Sequence, residues 1–234
     1  MKLKQFRYSE DNIGYLIYGK KVAAAIDGGS VENILSFLKK HNLELGYVLN
    51  THTHLDHTVG NRALLDSTGA KHIEIAELIK EGGFDLEGNP VRVYHTPGHT
   101  HDSVVYYFEN ILISGDTLFI GKAGRCFTGD EEEFLRSIKL LLSLPRDTLI
   151  YPGHDYVREY LETAKSIEPD NIHIDAFLKK YDPGNIFSTL EDELRINPTL
   201  RFGDEKMVSI LRLQGLPHAA ELDCWKSLLL ITQH

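Results

Sequence analysis

Cysteine is scarce: the 234 residues hold only Cys126 and Cys224, far apart and without framework spacing. That excludes a disulfide scaffold and fits free thiols in a cytoplasmic protein. Long apolar runs are missing too. No stretch approaches the roughly 18 residues a membrane-crossing helix needs. Met1–Ser9 carries Lys2, Lys4 and Arg7 but no apolar segment after them, so neither a membrane partner nor a secretory leader is expected. Basic charge is not in excess either, with a net charge of −9. A nucleic-acid backbone is therefore a poor partner, since its binders carry a basic footprint. No repeat or low-complexity tract interrupts the chain. With 42% hydrophobic and 25% charged residues, the composition is that of a globular protein with one ample domain or a domain plus an appendage.

What is present is an alternation of short β-rich runs and helical spacings. Ile13–Tyr18 and Val22–Ile26 read as strands, and Ser30 as an N-cap before Val31, Ile34, Leu35 and Leu38. Tyr47–Asn50 is a short strand, Val59–Asp66 helical and Lys71–Ala76 extended. Val91–His95, Val104–Phe108 and Ile111–Ser114 are further strands, the last two a hairpin at Glu109-Asn110. Asp130 with Glu133 predicts a capped helix carrying Phe134, Leu135, Ile138, Leu141 and Leu142. Thr148–Tyr151 returns to strand. This alternation, through about residue 165, predicts an α/β domain over 1–165. Beyond it, Asp170–Tyr181, Thr189–Ile196, Asp204–Leu213 and His218–Ile231 read as helix, a small appendage over 166–234.

The run Thr51-His52-Thr53-His54-Leu55-Asp56-His57 concentrates metal-capable side chains immediately after a strand. There, His52 and His54 can point one way at i, i+2 spacing, and the turn onto a helix can bring Asp56 and His57 nearby. His99, Asp116 and His154 each follow a strand as well, where a rigid sheet presents functional groups. Together these residues can hold two metals, Asp116 bridging, and leave a position for water. Imidazole and carboxylate suit Zn²⁺, and also Fe²⁺ or Mn²⁺. A metal pair lowers the pKa of a shared water towards about 7, which supplies a nucleophile without Ser or Cys. Asp56 and Asp116 are the catalytic candidates, Asp56 as a group that orients that water. His95 and His101 flank a ligand loop and could orient a ligand. His41, His72, His173, His218 and His234 have no motif context.

The ordered set His52-Thr-His54-Leu-Asp56-His57, Gly98-His99, Gly115-Asp116 and Gly153-His154 resembles the signature of the metallo-β-lactamase fold. The resemblance implies an αββα sandwich of two mixed sheets covered by helices. It also implies one metal on His52, His54 and His99, a second on Asp56, His57 and His154, and Asp116 on both. Asp11-Asn12, Asp27-Gly28, Asp116-Thr117-Leu118-Phe119, Tyr151–Tyr156 and Asn197-Pro198-Thr199-Leu200-Arg201 further resemble glyoxalase II, the hydroxyacylglutathione hydrolases. That family implies hydrolysis of the thioester S-D-lactoylglutathione, with Arg125 and Tyr156 lining the substrate pocket. A thiolate leaving group, with pKa near 8.5, needs little help from a general acid.

Three positions depart from that family. Phe127 stands where a tyrosine is common and cannot donate a hydrogen bond. The Arg-x-x-Lys usual on the final helix is Asp223-Cys224-Trp225-Lys226 here, which loses a bidentate carboxylate clamp and leaves Lys226 as the carrier contact. Asp102 replaces a common glycine. The sequence therefore predicts a cytoplasmic, dinuclear thioester hydrolase acting on a small acyl-thiol. The alternatives are a mononuclear iron persulfide dioxygenase on the same fold and a degenerate metal binder. Nuclease activity is disfavoured by the charge.

Overall fold

The computed structural model describes residues 1–232; His234 lies outside them. The first sheet comprises β1 (Lys2–Tyr8), β2 (Asn12–Tyr18), β3 (Val22–Ile26), β4 (Glu44–Leu49) and β5 (Lys71–His72), bonded in that order. β1 to β3 run antiparallel, and β3, β4 and β5 parallel. The second sheet begins with β6 (Gly83–Leu86), β7 (Asn89–His95), β8 (Val104–Phe108) and β9 (Ile111–Gly115). A separate small hairpin follows, β10 (Leu118–Phe119) with β11 (Lys122–Ala123). The chain then adds β12 (Leu149–Pro152), parallel to β9, and β13 (Ser188–Thr189) at the edge, giving the order β13-β12-β9-β8-β7-β6.

Side-chain alternation along the strands sorts the apolar residues into layers. Ile13, Tyr15, Ile17 and Leu49 of the first sheet meet Val104, Tyr106 and Ile113 of the second between the sheets. The opposite face of the first sheet is covered by α1 (Val31–His41) and, beyond the short turn α2 (Leu55–Thr58), by α3 (Asn61–Thr68). Ile34, Leu38 and Leu64 pack there on Leu16, Ala25 and Val48. α4 (Ile75–Glu81) adds Ile75 and Leu78 to the central core. α5 (Glu131–Leu142) lays Phe134, Leu135, Ile138 and Leu141 over Val105 and Leu112, the outer face of the second sheet. Each such fully buried side chain contributes about 1.5–3 kcal/mol. Its N-cap is Asp130, whose carboxylate accepts from Glu133 N at 2.8 Å. The result is the expected αββα sandwich.

The C-terminal region is less separate than its helical spacing suggests. α6 (Val157–Ile167) runs through the expected boundary at residue 165, followed by α7 (Ile172–Lys180), α8 (Leu190–Ile196), a 3-10 turn (Pro198–Leu200), α9 (Glu205–Leu213) and α10 (Glu221–Ile231). β13 joins the second sheet ahead of α8, and Met207, Leu211, Trp225 and Leu228 complete the core on its outer face. Other differences are local. β1 carries charges along a mostly exposed edge, with Phe6 its one buried residue, which is how edge strands are kept from pairing further. Val59–Asp66 is divided at Gly60, and Ile73 to Ala76 turn into α4 instead of extending β5. No described helix is long and apolar enough to cross a membrane.

Candidate metal centre

Four loops deliver the site, leaving the ends of β4, β7, β9 and β12. The first is tied down most heavily. Asp27 lies buried behind it, accepting from Thr51 N at 2.9 Å and from Thr51 Oγ1 at 2.7 Å. Asn50 Nδ2 donates to His57 O at 2.8 Å, and Tyr106 OH donates to Asn50 O at 2.7 Å. In the second loop Gly98 has φ +147°, and a Cβ there would lie 2.1 Å from the Phe134 ring. On the last loop a Cβ at Gly153 would stand 2.2 Å from Asp116 Oδ1. Gly153 leaves space for the site itself, and Gly98 for the core ring packed behind its loop.

The structure brings together all the metal ligands expected from the sequence. His52 Nε2 is 2.9 Å from His54 Nδ1, which is 3.1 Å from His99 Nε2. In the second set, His57 Nε2 and His154 Nε2 are 3.1 Å apart, and Asp56 Oδ2 stands 3.6 and 3.4 Å from them. Asp116 lies between the sets. Its Oδ2 is 3.5 Å from His99 Nε2 and 3.4 Å from His154 Nε2, and its Oδ1 is 3.4 Å from His57 Nε2.

These donors fit divalent ions. Two donors bound at 2.0–2.1 Å to a tetrahedral ion stand about 3.3 Å apart, within the range seen here. Asp116 Oδ1 is buried and accepts no hydrogen bond, a costly state for a carboxylate oxygen unless a cation faces it. The far ring nitrogens fix the tautomers. His57 Nδ1 donates to Asp27 Oδ2 at 2.9 Å, and His99 Nδ1 to the Arg125 carbonyl at 3.0 Å. His154 Nδ1 donates to Asp11 Oδ1 at 3.2 Å. Thr51 gives its own proton to Asp27, so its oxygen accepts from His52 Nδ1 at 3.1 Å. Each of these rings therefore turns its Nε2 inward, the orientation that outer partners give metal-binding histidines.

The electrostatics agree. Burial, reinforced by His57, pushes His52 down to about 4, making it a neutral donor at pH 7. Burial opposes charge on His57 too, but the Asp27 and Asp116 carboxylates lift it to about 11, so a cation binding there displaces a proton. Burial would raise Asp116, yet the His154 and His57 rings beside it hold it well below the usual carboxylate range. Asp56 is half exposed at the rim, where Asn12 Nδ2 donates to its Oδ2 at 3.0 Å.

The cluster forms the floor of a cavity of about 560 Å³, whose walls include Phe119, Lys122, Arg125, Phe127, Tyr156 and Tyr160. A larger hollow of about 840 Å³, beside Lys2, Tyr18 and His41, contains none of the donors. The Tyr156 ring stacks on His154 at 5.0 Å, and Phe127 sits edge-on to His99 at 5.1 Å. Lys226 is not brought in: it pairs with Glu131 at 3.6 Å, and Asp223 accepts from Ala220 N at the start of α10. His95 bonds the His101 carbonyl at 2.8 Å. His41, His72, His173 and His218 belong to none of the donor sets. Cys126 and Cys224 are free thiols, and Cys126 Sγ lies 3.5 Å from the Thr128 hydroxyl.

A family model described as the metallo-beta-lactamase superfamily matches residues 14–87 and 75–154. The chain belongs to that superfamily. Its divalent-metal chemistry is what the superfamily implies, and the donor sets for it are in place. Among superfamily relatives, the hydroxyacylglutathione hydrolase of Pelagibacter ubique is 33% identical over 91% of this chain and 98% of its own length. The hydroxyacylglutathione hydrolase of Brucella ovis is 33% identical over 94% of each. In structure, ETHE1 from Myxococcus xanthus is similar with a TM-score of 0.67 and 26% identity, covering 95% of both chains.

Sequence reasoning singled out the candidate ligands and quoted Asp11, Asp27 and Thr51 within its motifs, but gave these three no supporting role. They are ordinary turn residues by type. It also missed how the C-terminal region grips the cavity wall. Glu193 Oε2 accepts from Gly121 N at 2.9 Å, Thr199 Oγ1 accepts from Ala123 N at 2.8 Å, and Asn197 bonds both Glu193 and Thr199. Arg201 pairs with the buried Glu168. The Asn-Pro-Thr-Leu-Arg element thereby holds the β10–β11 hairpin that leads to Arg125.

Proposed function

We propose that this enzyme hydrolyses a thioester, S-D-lactoylglutathione or a related acyl-thiol, with two divalent ions per chain. The observation that carries the reading is the buried Asp116 carboxylate, its Oδ1 without a hydrogen bond, between two donor sets, at the floor of a cavity large enough for a small carrier. The names of the relatives support the choice of thioester. Zinc is the first choice of metal, since imidazole and carboxylate donors at these spacings suit a tetrahedral ion, with iron or manganese as the alternatives. Such a metal pair supplies an activated water and a Lewis acid for the carbonyl.

The chain's own residues do the rest. Asp116 ties the two sets together, and the partners on the far ring nitrogens hold the histidines in one geometry. Asp56, fixed by Asn12, has an acceptor oxygen at the cavity side of the second set, placed to orient a water or take its proton. Arg125 and Tyr156 border the space where the carrier would lie, and Phe127 adds an apolar wall. The free thiols fit a reducing compartment such as the cytoplasm. The mononuclear iron dioxygenase reading would leave the Asp56, His57 and His154 set without a role.

The test is hydrolysis of S-D-lactoylglutathione and other thioesters by purified protein of known metal content. Turnover with close to two metals per chain supports the proposal. Oxygen consumption on glutathione persulfide with a single iron, and no thioester cleavage, overturns it.

A further inference from the structure

The cavity wall carries two cations that no carboxylate balances at contact distance. Lys122, on β11, is half buried, and its Nζ lies 4.8 Å from the centre of the Tyr160 ring. Arg125 is exposed, its guanidinium carbon 4.9 Å from the Phe127 ring centre. Among the described residues, neither cation makes an ion pair or a side-chain hydrogen bond. Burial lowers the Lys122 pKa; Glu159 opposes this and Arg125 adds to it. A half-buried ammonium resting on an aromatic face is attracted to the ring's negative face, and its three donors remain unused. The hairpin that carries Lys122 is itself pinned at Gly121 and Ala123 by Glu193 and Thr199, so the ammonium is held on the wall that ends at the metal donors.

We propose that Lys122 is a specificity-determining residue, which with Arg125 forms an anion subsite for a carboxylate or phosphate of the thiol carrier. It takes the place of a contact from α10, whose Lys226 is paired with Glu131 outside the cavity. The inference rests on the thioesterase reading and gives its carrier a charge. Lys122 acts on the carrier and not on the bond that breaks, so its loss falls on KM while kcat stays level.

The experiment uses metal-loaded enzyme and one acyl group on three carriers: glutathione, coenzyme A and uncharged N-acetylcysteamine. Lys122→Met should raise KM about tenfold for an anionic carrier, leave kcat within about twofold, and leave the N-acetylcysteamine thioester unaffected. A tenfold change corresponds to about 1.4 kcal/mol. Lys122→Arg should restore most of the loss. An effect confined to glutathione assigns a carboxylate, and one confined to coenzyme A assigns a phosphate. Equal losses on charged and uncharged carriers, or none, overturn the subsite. Binding of S-methylglutathione and S-methyl coenzyme A, followed by calorimetry, gives a readout independent of turnover. If the wild type cleaves no thioester, the function falls, while about tenfold weaker binding of either ligand to Lys122→Met still upholds the subsite. Unchanged or undetectable binding of both in that case overturns it.

Discussion

Replacing Glu193 by glutamine should stabilise the protein above pH 7 and leave it little changed near pH 4.5. The carboxyl is fully buried. Its Oε2 accepts from Gly121 N and from Asn197 Nδ2, both at 2.9 Å, but its Oε1 has no hydrogen bond. Desolvation outweighs those donors and the nearby Ser188 hydroxyl, lifting the pKa from 4.5 to about 7. The sign follows from proton counting. Between these values the folded chain holds a proton that the unfolded chain releases, so stability falls as pH rises. The contribution is fully present below about 4.5 and lost once pH has passed through about 7. At about 1.4 kcal/mol per unit, the swing is on the order of 3 kcal/mol. Glutamine keeps an acceptor for Gly121 and Asn197, and its amide presents donors toward the unbonded Ser188 hydroxyl without any charge to desolvate.

The assay is reversible denaturant unfolding of both proteins from pH 4.5 to 8, at one fixed metal concentration. Trp225, the single tryptophan, is fully buried beside Phe134 and Phe202 and reports the transition. Glu193 bonds no metal ligand, so other titrations should largely cancel in the difference between the curves. The glutamine variant should gain about 3 kcal/mol relative to wild type across the interval. A flat difference, or one that grows towards acid, would refute a neutral buried carboxyl at this position.

Three further perturbations address the metal centre. Asp116→Ala removes the carboxylate that lies between the two donor sets, so elemental analysis should find less than two metals per chain and thioester turnover should vanish; retained turnover would remove the dinuclear site. Asp27→Asn keeps the size but weakens the acceptor that orients His57 and anchors Thr51. Metal affinity, measured by chelator competition, should fall about 10–100-fold. Gly153→Ala forces a methyl group toward Asp116 Oδ1 and the His57 ring. It should lower metal occupancy while the helical circular dichroism stays native, and full occupancy would show that this loop can yield.

The clustered donors were legible because a metal site asks for particular side chains at strand ends, and His52 to His57 concentrate them in a run with few other uses. The α/β layers were legible for a similar reason: Val104 to Phe108 and Ile111 to Ile113 are apolar enough to announce strands whatever surrounds them. β1 was not, since Lys2, Lys4 and Arg7 on an edge strand resemble a polar terminus. β13 was hidden because two residues, Ser188 and Thr189, cannot show a period, and only their pairing with Leu149 and Ile150 makes them a strand. The same limit separates ligands from supports. Asp27 orients His57 from 30 positions away, and Glu193 reaches Gly121 across 72; nothing in the type of either residue distinguishes it from a turn acid or a helix surface acid. Lys122 marks the limit on the substrate side. A lysine in a Gly-Lys-Ala turn reads as solvated, and only the Tyr160 face and the hold on its hairpin make its unmatched charge informative. The common metal chemistry was therefore readable from local order, whereas the features that would individualise this enzyme depend on where the C-terminal region docks.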